Sequence, residues 1–194
     1  MPRMLTVIVG CMFSGKSEEL LRQMKRATIA NLTTAVFKPA LDTRATTDQI
    51  CSRDGRCMDA ITVHSARGIL SAADRYDVIG IDESQFFDGD IVAVVLELYG
   101  AGKRVVVAGL DADFRGEPFG HTHRIMAIPE AHIVKLRAVC MRCGLDASRT
   151  HRKIHTGAQV EIGDADKYEA LCYACYAHAT SPEGIEIART HIAA

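Results

Sequence analysis

The sequence predicts an α/β fold: a P-loop NTPase-like parallel sheet with flanking helices, followed by a small C-terminal unit. Short, almost wholly apolar runs recur along the first two thirds of the chain. Segments with apolar residues at helical spacing lie between them. Such alternation is typical of right-handed crossovers in a parallel sheet that is covered on both faces. After residue 136 the chain changes to polar segments and paired cysteines.

Six strands are predicted because each run is short and apolar, as expected for strands buried on both faces. In chain order they are 4–9, 33–38, 61–63, 77–82, 104–110 and 132–136. Pro39 should end the second strand, since proline has no N–H to donate. Helices are predicted at 16–30, where Leu20 and Met24 share an apolar face, and at 91–99.

We expect one domain over residues 1–138 and a smaller one over 139–194. The segment 42–59 is polar and is expected to be a mobile loop. The chain has neither internal repeats nor low-complexity segments.

The 194 residues carry a formal net charge of −1, and 48% of them are hydrophobic. This composition is typical of a soluble globular protein and argues against one that coats nucleic acid, which needs a basic surface. The apolar run near the N-terminus is too short for a signal peptide. No run approaches the ~20 apolar residues that cross a bilayer. We therefore expect a cytoplasmic protein without nucleic-acid or membrane partners.

The stretch GCMFSGKS directly follows the first predicted strand and precedes the first helix. Glycine, four residues and then Gly-Lys-Ser is the pattern of a phosphate-binding loop, in which backbone N–H groups converge on phosphate oxygens. The lysine reaches the terminal phosphates, and the serine hydroxyl holds magnesium. A glycine turn without a ligand is the alternative. The predicted ATP-binding residues here are Gly10, Cys11, Met12, Phe13, Ser14, Gly15, Lys16 and Ser17.

A second group of candidates follows the strand at 77–82, where a magnesium-binding acid is expected in this fold. We assign Asp82 to magnesium together with Ser17, and Glu83 to general base catalysis beside the terminal phosphate. The adjacent Ser84 and Gln85 are assigned to the nucleotide site. Two solvated loop acids are the alternative. Glu83 could activate water in an ATPase or a hydroxyl group in a kinase.

The chain has seven cysteines, an odd number that does not suggest a disulfide framework. Four of them form two C-x-x-C pairs, which together can close a tetrahedral structural zinc site. Unligated or redox-active cysteines are the alternative. The four are Cys140, Cys143, Cys172 and Cys175.

The other three cysteines look isolated, and Cys11 is expected to pack rather than react; the remaining two are Cys51 and Cys57. His151 and His155 lie four residues apart but are expected to be loop residues. The stretch 159–168, between the cysteine pairs, predicts either a clamp over a ligand or a simple hairpin.

The chain resembles the zinc-containing, type II thymidine kinases along nearly its whole length. The phosphate loop alone is shared with many families, but its combination with the following segments in this order is specific. The matching segments are FKPALDTR at 37–44, IDESQFF at 81–87, GLDADFRGEPFG at 109–120, the two cysteine pairs, and IGDADKYEALCYACY at 162–176.

The resemblance implies transfer of the ATP γ-phosphoryl group to the 5′-hydroxyl of thymidine, with Glu83 accepting the proton. Phe114 would stack on thymine, and Tyr168 would reach the sugar. Asp42 and Arg44 would lie near the phosphates. The complete implied nucleoside set is Met12, Leu110, Phe114, Thr150, Gln159, Val160, Glu161, Ile162, Gly163 and Tyr168. A homotetramer and feedback inhibition by thymidine triphosphate are also implied.

Three positions depart from the commonest family spelling: Cys11, Ser84 and Asp164. Asp164 replaces a glycine, so some backbone strain is expected there. Two other functions compete with a kinase. A DNA-stimulated ATPase with a zinc ribbon would need a basic, aromatic-bearing face, which this near-neutral chain without tryptophan does not predict. A non-catalytic relic would have no reason to keep the lysine and both acids.

Overall fold

The computed structural model describes residues 3–41, 48–51, 55–153, 159–160 and 163–182. Six of its strands form the central sheet, and the other six described strands form three two-stranded pairs. In chain order the strands are β1 (Met4–Val9), β2 (Thr34–Pro39), β3 (Gln49–Cys51), β4 (Cys57–Asp59), β5 (Ile61–Val63), β6 (Val78–Ile81), β7 (Arg104–Gly109), β8 (Ala131–Lys135), β9 (Ala138–Val139), β10 (Asp146–Ala147), β11 (Arg149–Arg152) and β12 (Tyr168–Leu171).

The central sheet has the order β5-β2-β6-β7-β1-β8. All five of its strand pairings are parallel. The helices are α1 (Lys16–Ile29), α2 (Arg67–Ala73), α3 (Ile91–Gly100), α4 (Thr122–Met126) and α5 (Tyr173–Thr180), and a 3-10 turn spans Ser84–Phe86. The predicted α/β architecture is confirmed.

Alternation along the strands divides the core between the two faces of the sheet. In β1, Val7 packs in a cluster with residues of α2, α3 and α4, whereas Ile8 packs on the opposite face against Leu20 and Met24 of α1. All four side chains are completely buried. The carboxyl ends of the central strands therefore meet at one edge of a sheet held rigid from both sides.

All six predicted strands and both predicted helices are confirmed, with ends that differ by at most one residue. Pro39 is the last residue of β2 instead of the first residue beyond it. Helices α2 and α4 were not predicted. They have seven and five residues, too few to show a clear helical period.

The prediction of a loop over 42–59 is wrong where β3 and β4 pair as an antiparallel hairpin. Ile50 explains the hairpin, because it is buried in the same core cluster as the inner face of α1. Cys51 and Cys57 are not isolated: they are opposed across the hairpin and form a disulfide. Residues 42–47 and 52–54, with Asp42 and Arg44, lie outside the described residues.

The C-terminal unit is built from the β9–β10 and β11–β12 pairs and α5. Its small apolar cluster includes Ala147 and Leu171, and it also contains Cys11 of the phosphate loop. His151 is not a loop residue: it lies in β11, is buried, and bonds Glu169. His155 lies outside the described residues.

Within the described ranges, no helix combines the length and apolar character that a bilayer crossing requires.

Gly80 in β6 lets α1 approach the sheet closely. A Cβ atom built there would lie 3.1 Å from Met24 Sδ, 3.2 Å from Val36 Cγ2 and 3.3 Å from Leu20 Cδ1. We expect Gly80→Val to lower the free energy of unfolding by about 1–3 kcal/mol through overpacking. Urea denaturation measures this change in the free energy of unfolding. The matched control is Gly100→Ala, since a Cβ there meets nothing within 4 Å. Equal stability of Gly80→Val and wild type would contradict this account of the packing.

Candidate active site and cysteine cluster

The phosphate loop joins β1 to α1 through backbone conformations that favour glycine. Gly10 has φ 151°, and a Cβ atom there would lie only 2.5 Å from the Leu136 carbonyl oxygen. Gly15 has φ 81° and precedes the first residue of α1. The loop therefore delivers its N–H groups to the positive end of a helix, an arrangement that binds phosphate.

Lys16 folds back along the loop, where its Nζ donates to the Cys11 carbonyl oxygen at 2.8 Å. Burial lowers the pKa of the Lys16 amine below its ordinary value, while the nearby Glu83 and Asp82 carboxylates act in the opposite direction. The amine thus lies in a site where charge interactions are strong.

Ser17 and Asp82 meet at the edge of the sheet, as predicted. Ser17 Oγ donates to Asp82 Oδ2 at 3.1 Å, and Asp82 Oδ1 accepts the Glu83 N–H at 2.9 Å. A hydroxyl and a carboxylate are the hard oxygen ligands that Mg²⁺ prefers, so this pair is suited to hold it.

Glu83 has a left-handed backbone, with φ 50° and ψ 46°. Its carboxylate accepts a hydrogen bond from Gln85 Nε2. Gln85 Oε1 in turn accepts the Leu110 N–H at 2.9 Å, so Glu83 is oriented by the residue that follows β7. The Ser84 hydroxyl is fully buried and hydrogen-bonds Thr122 at 2.9 Å. The nucleotide-contact roles of Ser84 and Gln85 stay predictions.

A cleft of about 520 Å³, its open mouth included, brings together most of the predicted nucleoside residues. Its lining residues are Met12, Glu83, Phe86, Leu110, Ala112, Asp113, Phe114, Phe119, Thr150, Gln159, Val160, Gly163 and Tyr168. Glu161 and Ile162 lie outside the described residues. The phosphate loop, a candidate base and an aromatic wall therefore share one cavity.

Sequence reasoning missed four of these lining residues: Phe86, Ala112, Asp113 and Phe119. The two phenylalanine rings pack edge to face with centroids 5.7 Å apart. All four lie inside the motifs that carried the resemblance. Their aromatic character was a sequence signal by which Phe86 and Phe119 could have been assigned to the site.

Phe114 is fixed from behind by two residues of the C-terminal unit. The Arg152 guanidinium carbon lies 3.7 Å from the ring centroid, and the Tyr176 hydroxyl donates to the Phe114 carbonyl oxygen at 2.7 Å. Arg152 is almost fully buried. Neither contact has a sequence signal, because both join distant segments.

The phosphate loop also contacts the C-terminal unit directly. The Met12 N–H donates to Thr150 Oγ1 at 3.0 Å. The Cys11 thiol is buried and lies 3.5 Å from the Ala147 carbonyl oxygen, which agrees with the expected packing role. The C-terminal unit thus forms part of the floor of the cleft.

The four paired cysteines converge, with all their sulfur atoms within 4.8 Å of one another. Cys143 Sγ lies 3.6 Å from Cys172 Sγ, and the Cys175 N–H donates to Cys172 Sγ at 3.4 Å. Tetrahedral zinc with Zn–S bonds of about 2.3 Å separates its sulfur ligands by about 3.8 Å. The four cysteines could therefore hold a metal ion, and their number and spacing fit zinc.

Asp164, where backbone strain was expected, is not among the described non-glycine residues with positive φ, which are Phe13, Asn31 and Glu83. Its carbonyl oxygen accepts the Tyr168 N–H at 2.9 Å. The aspartate thus fits the turn that precedes β12.

The parallel sheet, the phosphate loop and the acids at the strand ends define a nucleotide-binding P-loop fold. The thymidine kinase family model matches residues 3–176, and the chain belongs to that family of nucleoside kinases. The thymidine kinase of Bacteroides thetaiotaomicron is 42% identical over 183 residues, which cover 94% of this chain and 92% of that one. The thymidine kinase of Porphyromonas gingivalis is 42% identical over 182 residues, or 94% of this chain and 89% of the relative.

Among solved structures, AMPPCP-bound DnaA from Aquifex aeolicus aligns with a TM-score of 0.42 and 13% identity, over 69% of this chain and 40% of that chain. A similarity of this size carries no argument about function.

A polar cluster in the C-terminal unit joins buried Glu169 and His151 to the exposed Arg142. Glu169 Oε1 accepts hydrogen bonds from Arg142 Nη2 at 2.7 Å and His151 Nδ1 at 2.9 Å. Burial raises the pKa of the Glu169 carboxyl, but these two partners outweigh burial and leave the pKa below its ordinary value.

A lowered pKa in the folded state means that Glu169 contributes stability above its unfolded pKa, about 4.3, and that this stability is lost as pH falls through the folded pKa. We expect acidification from pH 6 to pH 3.5 to lower the Tm of wild type more than that of Glu169→Gln. Calorimetry measures both, with the exposed Glu97→Gln as the control. Parallel Tm curves for wild type and Glu169→Gln would contradict the prediction.

Proposed function

We propose that the protein is an ATP:thymidine 5′-phosphotransferase that makes thymidine monophosphate in pyrimidine nucleotide salvage. One observation carries this proposal: Met12 of the phosphate loop and Glu83 line the same cleft as Phe114 and Tyr168. A nucleoside stacked on the ring would direct its sugar toward the acid and the phosphates. Family membership supplies the substrate class.

In this proposal the phosphate loop amides and Lys16 bind the β- and γ-phosphates of ATP. Ser17 and Asp82 hold Mg²⁺, which neutralises charge on the phosphate oxygens. The lysine lies close to both acids at the sheet edge, so its positive charge is directed at the region where negative charge develops.

Glu83 is the proposed general base. The 5′-oxygen of thymidine attacks the γ-phosphorus, the bond to the β–γ bridging oxygen breaks, and ADP leaves. The hydroxyl proton passes to the Glu83 carboxylate. The hydrogen bond from Gln85 orients that carboxylate, and orientation of this kind is most of what phosphoryl transfer needs from a protein.

Phe114 stacks on thymine in the proposed complex, with Met12, Leu110 and Thr150 around the ring. The backbone at 159–163 reads the base edge, and Tyr168 reaches the sugar. A segment that covers the nucleoside also excludes water, which would otherwise compete for the phosphoryl group.

We further propose that the cysteine cluster binds a structural Zn²⁺ that closes a separate zinc-binding lasso domain at 139–194, beside a kinase domain at 1–138. All four ligand positions come from protein, so no position remains for catalysis. We also propose a cytoplasmic homotetramer that thymidine triphosphate inhibits. The tetramer and the inhibition rest on the family resemblance, whereas the location rests on the short apolar runs of the sequence.

The test of the function is transfer of label from [γ-³²P]ATP across a panel of nucleosides. We expect transfer to thymidine, to deoxyuridine with kcat/KM lower by about 5- to 150-fold, since one methyl group is worth ~1–3 kcal/mol, and little to deoxycytidine. Glu83→Gln should lower kcat by about 10²–10⁴-fold, while the exposed Glu130→Gln serves as the matched control. Equal phosphorylation of thymidine and deoxycytidine would contradict the proposed selectivity. A near-normal kcat in Glu83→Gln would contradict the assignment of Glu83 as the general base.

Metal content tests the cysteine cluster. We expect about one zinc per chain by atomic absorption, and loss of it in Cys175→Ser, because a fourth thiolate is missing. Structural zinc is worth roughly 10 kcal/mol or more to a small unit, so the variant should lose the fold of its C-terminal unit and bind thymidine far more weakly. Stable, metal-free wild-type protein with full activity would contradict the assignment.

A further inference from the structure

Asp113 is a buried carboxylate whose two oxygens serve different parts of the chain. Oδ1 accepts the N–H groups of Arg115 at 2.8 Å and Glu117 at 3.1 Å. These bonds close the tight turn that carries Phe114. Oδ2 accepts Nε2 of Gln159 at 3.1 Å, across 46 residues of sequence.

The carboxylate depends on these N–H donors. Its side chain is only 4% exposed, and within the described part of the chain no ion pair involves it. A buried carboxylate needs hydrogen bonds to replace those it had with water, and bonds to a charged group are stronger than neutral ones. Among the described residues, three N–H groups donate to the Asp113 carboxylate, and Gln159 supplies one of them.

The link joins two parts of the cleft lining that are distant in the sequence. Phe114 and Asp113 belong to the turn after β7, whereas Gln159 and Val160 belong to the C-terminal unit, and all four line the cavity. The bond to Asp113 holds the Gln159 amide group beside the Phe114 turn.

We propose that Asp113 is a positioning residue for the nucleoside: its carboxylate fixes Gln159 against the Phe114 turn and so sets the width of the cleft that receives the base. The proposal rests on the proposed function. Asp113 touches no reacting atom, so it acts on thymidine affinity and leaves ATP binding and the chemical step largely alone.

The test is a set of single and paired substitutions assayed for KM of thymidine, KM of ATP and kcat. Gln159→Ser shortens the side chain so that its hydroxyl no longer reaches Asp113, and it should raise the KM of thymidine by about tenfold. Gln159→Glu sets two carboxylates against each other and should raise it more. Asp113→Asn alone should raise it by about threefold, because the Gln159 amide must turn round to present its oxygen.

The paired variant Asp113→Asn with Gln159→Glu restores a donor opposite an acceptor. It should return the KM of thymidine to within about threefold of wild type. The control is Asp113→Asn combined with Gln159→Ser, in which the KM of thymidine should stay as high as in Gln159→Ser alone. In Gln159→Glu the KM should also fall toward wild type between pH 8 and pH 6, since the facing carboxylate raises the pKa of the introduced one. Thermal unfolding of every variant checks that the fold is retained.

The expected result is that Asp113→Asn restores the KM of thymidine in Gln159→Glu but not in Gln159→Ser, while the KM of ATP stays constant in every variant. This result supports the proposal. A Gln159→Glu defect that Asp113→Asn does not relieve, or a parallel rise in the KM of ATP, would overturn it. Calorimetric titration with thymidine measures the thymidine affinity of the same variants and does not depend on catalysis. Wild-type protein that binds thymidine but transfers no phosphoryl group would defeat the proposed function alone, and wild-type protein that binds no thymidine would defeat both.

Discussion

The hydrogen bond from the Met12 N–H to Thr150 Oγ1 is the contact on which the geometry of the cleft depends. It joins two segments 138 residues apart, the phosphate loop and β11 of the C-terminal unit. Cys11 reinforces this junction because its side chain lies in the apolar cluster of that unit. The C-terminal unit contacts the phosphate loop on one side. The two ends of the loop are held by β1 and α1.

The residues of the phosphate loop therefore divide their contacts. Ser17 hydrogen-bonds Asp82 and the Lys16 amine lies near Asp82 and Glu83, whereas Cys11 and Met12 contact the C-terminal unit. A movement of that unit would displace the loop backbone, and through it the phosphates. The two substrates proposed for this protein would be coupled by backbone geometry.

The inner strands of the central sheet could be predicted almost to the residue because they are buried on both faces, and burial makes them continuous apolar runs such as VIGI and RVVVAG. The edge strands β5 and β8 are only partly buried. The phosphate loop and the cysteine pairs were predictable because their chemistry requires fixed spacing. The β3–β4 hairpin was not, because its two described strands contribute one buried residue, Ile50, and one partly buried residue, Met58, which is too little for an apolar pattern. Arg152 behind Phe114 and Asp113 beside Gln159 could not be predicted, since such pairs depend on how distant segments fold together.

The left-handed backbone of Glu83 places stability and activity in opposition at one residue. A non-glycine residue in that conformation costs roughly 1–2 kcal/mol, whereas glycine adopts it freely. Selection for thermal stability alone would therefore favour glycine at this position and would remove the carboxylate that the proposed chemistry needs. If variants of this protein are ranked by melting temperature, Glu83 should be held fixed, because under the proposed mechanism the most stable sequence and the most active one diverge there.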